Sequence, residues 1–202
     1  MFNLYTIRKI SKQISSINDP LWSRAEIAKI ETLNWEGFDY IPKTTCKILY
    51  NDYGIYIQFE TDENPLLARV KEQNGRVCCD SCMEIFISPN RDDKRYLNFE
   101  FNPFGTMYFK VRTSRFDGVH PDKNKDYFDV KSYVDDKKWV LQFVIPFELI
   151  NEIFGGYTKE MRGNLYKCGE DTEKEHYVTY YPITCEKPDF HRPECFGEFI
   201  LE

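Results

Sequence analysis

The chain has 202 residues, 42% of them apolar and 30% charged, and is rich in aromatics with 14 Tyr and 16 Phe. That is enough for one sizeable core, while a net charge of −6 argues against a partner gripped by its phosphate backbone, which needs a basic face. No apolar run approaches the ~20 residues of a membrane helix, and the odd number of cysteines, seven, fits a reducing compartment better than a disulfide framework.

The start, MFNLYTIRKISKQISS, has neither an apolar core nor a small-residue cleavage site. As it stands the chain reads as cytoplasmic; a secreted or periplasmic location requires a signal peptide that has been removed. A first strand is predicted over Leu4–Ile10, then a polar connector and a break at Asp19-Pro20 before Leu21-Trp22. A short strand and a loop through Trp35-Glu36-Gly37 and Pro42 fill 25–45. Cys46–Asp62 has the pattern of a β-hairpin, in which Ile55, Ile57 and Phe59 alternate with Tyr56, Gln58 and Glu60. Gly54 is expected to supply a positive φ in its turn. Asn64–Gly75 is polar, with room for a short helix.

Residues 82–106 carry the clearest pattern. Met83, Ile85 and Ile87 fall on one side of a strand and Glu84 on the other. After a charged turn at Asn90–Lys94, Leu97, Phe99 and Phe101 alternate with Tyr96, Asn98, Glu100 and Asn102. Such alternation predicts a half-buried sheet. The second row is carboxylate, amide and phenol, groups that hydrogen-bond polyhydroxylated ligands; the alternative is a solvated outer face. A return strand follows at Met107–Thr113, then a loop over Phe116–Asp126 and a strand pair, Tyr127–Tyr133 and Lys138–Ile145, with Trp139, Leu141, Phe143 and Ile145 toward the core. Pro146-Phe147 opens a helix reaching Phe154, stopped by Gly155-Gly156. Strands at Met161–Cys168, Tyr177–Ile183 and Phe196–Leu201 complete the chain, with a loop from Pro188 to Pro193. Frequent turns and a single helix predict an all-β, two-sheet β-sandwich forming one domain over residues 1–202, with Trp22 and Trp35 packed beneath it.

Several groups have chemical potential. Arg162, Asn164 and Tyr166 share one strand face and are a directed set of donors suited to the second half of a polar pocket. Glu84 and Glu100 also suit a paired-carboxylate glycosidase. His191-Arg192-Pro193-Glu194 offers an imidazole–carboxylate pair, but no Ser or Cys stands in a nucleophile-elbow context to complete a triad. Cys79-Asp80-Ser81-Cys82 has zinc-site spacing, yet Cys168, Cys185 and Cys195 are scattered singly, so ordinary reduced cysteines and no metal site are expected. Four Met and three His, none at a diagnostic position, argue against heme.

The segments LYNDYGIYIQFE, DSCMEIFISP, YLNFEFNPFGT, WVLQFVIPFELI, RGNLYKCGE and KPDFHRPECFGEFILE, in this order, resemble the carbohydrate-binding module family 9-like proteins from about Trp22 to the C-terminus. The resemblance implies an immunoglobulin-like or jelly-roll sandwich that binds carbohydrate, often beside glycoside hydrolases, gripping a sugar-chain end between two aromatic rings. It implies structural calcium in some members. It places Glu84 at the acidic binding position, Asp80 at the leading Asp, and Asn98 and Glu100 on the strand of further polar contacts. The second aromatic is Phe190 or His191. Cys78 stands where the first aromatic, a Trp, is expected, unless Tyr96 or Phe116 rebuilds that wall. The resulting expectation is non-catalytic binding of an oligosaccharide or polysaccharide end, linked to polysaccharide catabolism, by Glu84, Asn98, Glu100, Arg162, Asn164, Tyr166, Phe190, His191 and Arg192, with no cofactor beyond that calcium. The alternatives are a glycoside hydrolase using the carboxylate pair and a sandwich without ligand that serves structure or protein interaction.

Overall fold

The computed structural model describes residues 4–202. Thirteen strands and one α-helix follow in chain order: β1 Tyr5–Lys9, β2 Ala28–Ile30, β3 Thr32–Leu33, β4 Thr44–Tyr50, β5 Gly54–Thr61, β6 Cys82–Ser88, β7 Tyr96–Phe101, β8 Met107–Arg112, β9 Lys131–Val134, β10 Trp139–Pro146, α1 Phe147–Phe154, β11 Glu160–Gly169, β12 His176–Thr179 and β13 Gly197–Leu201. The fold is all-β with one short helix, as expected.

Hydrogen bonding links the strands along one curled path, β8-β7-β6-β11-β13-β1-β4-β5-β10-β9. The hinge of this path is β1. Its Tyr5, Thr6 and Ile7 pair in parallel with Phe199, Ile200 and Leu201 of β13, and its Arg8 and Lys9 pair with Leu49 and Tyr50 of β4. A short strand thereby serves both halves. Tyr5 fixes the handover, its phenol donating to the Glu26 carbonyl at 2.7 Å and accepting from the Ile48 amide at 2.9 Å.

The apolar rows read from the sequence all face one core. Ile85, Ile87, Leu97, Phe99 and Phe101 of one half meet Ile55, Ile57, Phe59, Leu141, Phe143 and Ile145 of the other. Phe143 lies 5.5 Å from Phe99 and 4.6 Å from Phe101, ring centre to ring centre. Trp139 is buried there as expected and donates its indole N–H to Ser132 Oγ at 2.9 Å.

The second face of β6 and β7 is also buried, which corrects the half-buried reading: every residue of both strands is buried. Apart from Val77, the covering side chains come from far along the chain. Trp35, Val77, Ile183, Phe190 and Phe196 form an apolar cluster over Phe86, Tyr96 and Tyr166. Trp22 instead packs against Leu49, Tyr56 and Val144 on the outside of the other half, with its indole donating to Gln142 at 3.2 Å.

Three local expectations change. Gly54 does not adopt a positive φ; it is needed because a Cβ there would meet the Ile145 carbonyl oxygen at 2.4 Å. Residues 64–75 form no helix. Pro146 caps α1 rather than entering it, and Gly155, at φ 71°, ends the helix in the left-handed region that glycine tolerates.

The segment between β5 and β6 is tied down by a buried network. Lys167 is fully buried; its ammonium donates to the Cys168 carbonyl at 2.8 Å and to His176 Nε2 at 2.9 Å and is ion-paired with Glu63 Oε2 at 2.7 Å. His176 Nδ1 lies 2.7 Å from the Lys174 carbonyl, which only accepts, so Nε2 is the unprotonated nitrogen facing Lys167. Burial and the Lys167 charge push His176 down to about 3, so it is neutral at physiological pH. Glu63 in turn accepts from Ser81 at 2.8 Å. Removing one partner of such a pair costs more than the pair contributes, because an uncompensated buried charge remains. Lys167→Met should therefore destabilise by about 3–5 kcal/mol, and Lys167→Met/Glu63→Leu should recover much of that loss. Urea unfolding of the single and double variants checks this; additive losses would show that the two residues are not coupled.

Candidate functional site

The floor of the candidate site is the buried polar row. Glu84 on β6 lies directly opposite Glu100 on β7 in the antiparallel register, so both carboxyls leave the same face of the sheet. Burial pushes Glu100 up to about 7. Glu84 is raised well above the carboxylate range, first by burial and then by Glu100. Asn98 donates to Glu100 at 3.0 Å and accepts from Arg112 Nε at 2.8 Å. Arg112 continues the chain to the Tyr108 hydroxyl at 2.7 Å and to the carbonyls of Arg115 and Asp117 at 2.8 and 3.0 Å. A buried row of alternating donors and acceptors thus also shapes the loop that carries Arg115.

Above this floor lies a cleft of about 110 Å³, lined by Cys78, Glu84, Phe86, Glu100, Arg115, Cys168, Glu170, Tyr177 and residues 188–191. Cys78 arrives on a 3₁₀ turn, Val77–Cys79, whose Cys78 carbonyl accepts from the Glu170 amide at 3.1 Å. Phe190 stacks on Tyr166 at 4.3 Å and neighbours Trp35 and Tyr177, so only 8% of it is exposed. His191 lies parallel to Phe86 at 4.9 Å, and its Nδ1 meets the Tyr96 hydroxyl at 3.0 Å. Burial and the nearby Arg112 and Arg115 push His191 down to about 3, leaving a neutral ring at physiological pH. The lining holds four carboxyls, Glu84, Glu100, Glu170 and Asp189, and one guanidinium, Arg115, which itself pairs with Asp189 at 3.3 Å.

Of the residues singled out from the sequence, Glu84, Glu100, Phe190 and His191 meet in this cleft. Asn98 orients Glu100 from below. Tyr166 supports Phe190, by stacking and by donating to its carbonyl at 3.1 Å. Asn164 sits where β11 exchanges partners, β13 along Glu160–Gly163 and β12 along Tyr166–Gly169. Its amide bridges the gap, donating to the Tyr181 carbonyl at 2.9 Å and accepting from the Tyr181 amide at 2.8 Å. Arg162 holds the carbonyls of Pro193 and Phe196 and borders a separate groove with Arg91 and Glu194. Arg192 pairs with Glu194 at 2.8 Å, outside the cleft lining. Neither Tyr96, which is fully buried, nor Phe116, which is 94% exposed, replaces the ring expected at Cys78.

Sequence reasoning missed Arg115, Glu170, Tyr177 and Asp189. Glu170 and Asp189 flank or fall within the segments RGNLYKCGE and KPDFHRPE. Arg115 sits in a loop without local signal and is brought in by the Arg112 contact to its carbonyl and by its own pairing with Asp189. Structural calcium requires six to eight oxygen donors. The clusters of three His, Cys, Asp or Glu side chains among the described residues are Cys78/Cys79/Glu170 and Cys82/Glu84/Cys168, and their sulfurs do not suit calcium.

A family model for carbohydrate-binding family 9 matches residues 20–201. No curated protein matches. Among solved structures, a carbohydrate-binding candidate from Bacteroides uniformis ATCC 8492 is similar at 26% identity and a TM-score of 0.85, over 99% of both chains. A family 9 carbohydrate-binding module from Caldicellulosiruptor kristjanssonii, in complex with cellotriose, shares the fold at 14% identity and a TM-score of 0.69, over 99% of this chain and 94% of that one. Its complex with glucose aligns equally well, over 96% of that chain. The match spans the strands that build the cleft as well as those that build the core, and the chain belongs to carbohydrate-binding family 9.

Proposed function

We propose that the cleft binds the end of a neutral sugar chain without catalysis, on an immunoglobulin-like or jelly-roll sandwich formed by the whole chain. The observation that carries this reading is the joining of Glu84 and Glu100 with the rings of Tyr177 and His191 in one small cleft. Carboxyls and ring faces are the complementary partners of hydroxyls and of the C–H face of a sugar. At about 110 Å³ the space is well below the roughly 300–1,000 Å³ of pockets that enclose drug-sized ligands, which favours one ring over an internal stretch of chain. The one guanidinium of the lining, Arg115, is already paired with Asp189, which leaves the lining no free cation for a uronate carboxylate. The cellotriose and glucose complexes of the Caldicellulosiruptor module support a gluco-configured terminus, and the family setting supports a role in polysaccharide catabolism beside glycoside hydrolases.

The hydrolase alternative gains nothing from the geometry. Glu84 and Glu100 leave the same sheet face as direct neighbours, whereas hydrolysis places its two carboxyls on either side of the scissile bond. Turnover of aryl-glycosides abolished by Glu84→Gln would reverse that judgement.

Titration calorimetry with glucose, cellobiose and cellotriose tests the binding reading. With Cys78 in place of a full aromatic wall, the expected dissociation constant is millimolar, about −4 kcal/mol. Cys78→Trp should add stacking on the order of 1 kcal/mol, a several-fold gain, and Glu84→Gln should weaken binding. Absence of binding to all three sugars, with no change in melting temperature, would favour the ligand-free reading.

The same carboxyls set a stability cost. The folded-state value of Glu100, about 7, lies above its ordinary 4.5. Its contribution to stability is therefore full below about pH 4.5 and is lost as pH rises through 7. Glu100→Gln should stabilise the protein at pH 8, by at most about 3 kcal/mol, with the difference vanishing near pH 4. Denaturant unfolding at the two pH values measures it; an equal effect at both would show that burial of the charge is not the cause.

A further inference from the structure

Each buried carboxylate of this protein except one has strong partners among the described residues. Asp80 accepts from the amides of Arg69 and Val70 and from Asn102, each at 2.9 Å. Glu63 has Lys167 at 2.7 Å and Ser81 at 2.8 Å. Glu100 has Asn98 at 3.0 Å. Glu84, 2% exposed, has thiols: Cys168 Sγ lies 3.0 Å from its Oε1, and Cys82 is its other side-chain contact. Thiols are weak donors. Ionised, Glu84 has no cation beside it among the described residues, and its side-chain hydrogen-bond partners in the protein are thiols.

The thiols are held there by the sheet. Cys82 and Cys168 face each other directly in the β6–β11 ladder, and Glu84 is two residues along β6 from Cys82, on the same face. All three are buried, and their two sulfurs and a carboxylate oxygen lie within 4.8 Å of one another. Ligands of a tetrahedral zinc ion, bound at about 2.3 Å, stand about 3.8 Å apart. The 3.0 Å between Cys168 Sγ and Glu84 Oε1 would have to open, and any wider separation to close, by about an ångström or less, within the reach of side-chain torsions.

We propose that Cys82, Cys168 and Glu84 form a binding site for a thiophilic divalent cation, with zinc as the biological example, at the floor of the cleft. Two sulfurs and one carboxylate oxygen occupy three corners of a tetrahedron. The fourth faces the cleft, where Cys78 and water are the available donors. Binding releases the two thiol protons to solvent, because thiolate is the ligating form, and two thiolates with one carboxylate carry enough charge to hold a divalent ion. The site goes beyond sugar binding and does not require it. The nearby Cys78, Cys79 and Glu170 form a second, partly exposed trio. Its thiols sit on a short turn and gain no comparable fixation from a strand ladder.

The test is a cadmium titration of the reduced, metal-free protein in the absence of sugar, followed by the ultraviolet thiolate-to-cadmium band and by cadmium NMR, whose shift counts sulfur ligands. One equivalent is expected to bind with at least two sulfurs. Cys82→Ser and Cys168→Ser should each abolish the site, and Glu84→Gln should weaken it on the order of tenfold. Cys79→Ser and Cys185→Ser/Cys195→Ser should leave it intact. The proposal is overturned if no band forms, if the band follows Cys79, Cys185 or Cys195, or if Cys82 and Cys168 are found joined as a disulfide in the protein as purified. Should a Ser variant fail to fold by circular dichroism, the near-isosteric Glu84→Gln and the wild-type NMR shift still decide. Sugar titrations on metal-free protein keep the readings apart: sugar binding without cadmium binding sinks only the cation site, and the reverse sinks only the sugar site.

Discussion

The cleft depends on how the protein buries a polar sheet face, and Asp80 is the residue that makes this possible. Its carboxylate is fully buried and is satisfied by two consecutive amides, Arg69 and Val70, and by the Asn102 side chain just past β7. Asn102 simultaneously accepts from the amides of Phe104 and Thr106 at 3.1 and 3.0 Å, closing the turn into β8. One carboxylate thus clamps the incoming segment, the start of β6 and the end of β7 together. A clamp made of backbone amides is rigid, since the amides have no rotamers to lose. Two residues upstream of it, Cys78 is delivered to the rim of the cleft, while the Ser81–Glu63–Lys167 network secures the other side of the same segment.

The inner core was legible because its signal is local. Alternation in β5, β6, β7 and β10 needs only neighbouring residues to be read, and all four rows face the interior. The outer face of β6 and β7 was not legible as buried, because what buries it lies far along the chain, in the case of Phe196 more than a hundred residues from β6: Trp35, Phe190 and Phe196 carry no mark of where they dock. The same distance hid the partner of Cys82. Spacing along the chain suggested Cys79, whereas the β6–β11 register supplies Cys168. Asn164 illustrates a subtler limit. Its place in a row with Arg162 and Tyr166 invited a ligand-facing reading, yet its amide replaces ladder hydrogen bonds at a change of strand partner. A strand pattern alone cannot distinguish those two uses of the same group.

A polar row that is buried on both sides is expensive to fold. Desolvation raises Glu84 and Glu100 together, and like charges on adjacent strands add to the cost. Such strain persists where a ligand or ion compensates it, which is why perturbed carboxyls in a cleft indicate a site. The compensation available from the protein is uneven. Glu100 is served by the Asn98–Arg112 chain, so a hydroxyl approaching it finds an oriented acceptor. Glu84 has only soft, weak donors beside it.

The two carboxyls are therefore not equivalent halves of one polar floor. Glu100, backed by amide and guanidinium, is suited to exchange hydrogen bonds with a neutral ligand in the cleft. Glu84, backed by sulfur, is suited to a cation beneath that ligand. A cation at Glu84 would place positive charge on the strand beside Glu100 and so favour its ionised form, the stronger acceptor. The proposed cation and the proposed sugar would share the floor of this cleft, to which Glu84 and Cys168 both contribute. The two ligands would then meet at one surface, and each would alter the affinity of the other by the same factor, as linkage requires.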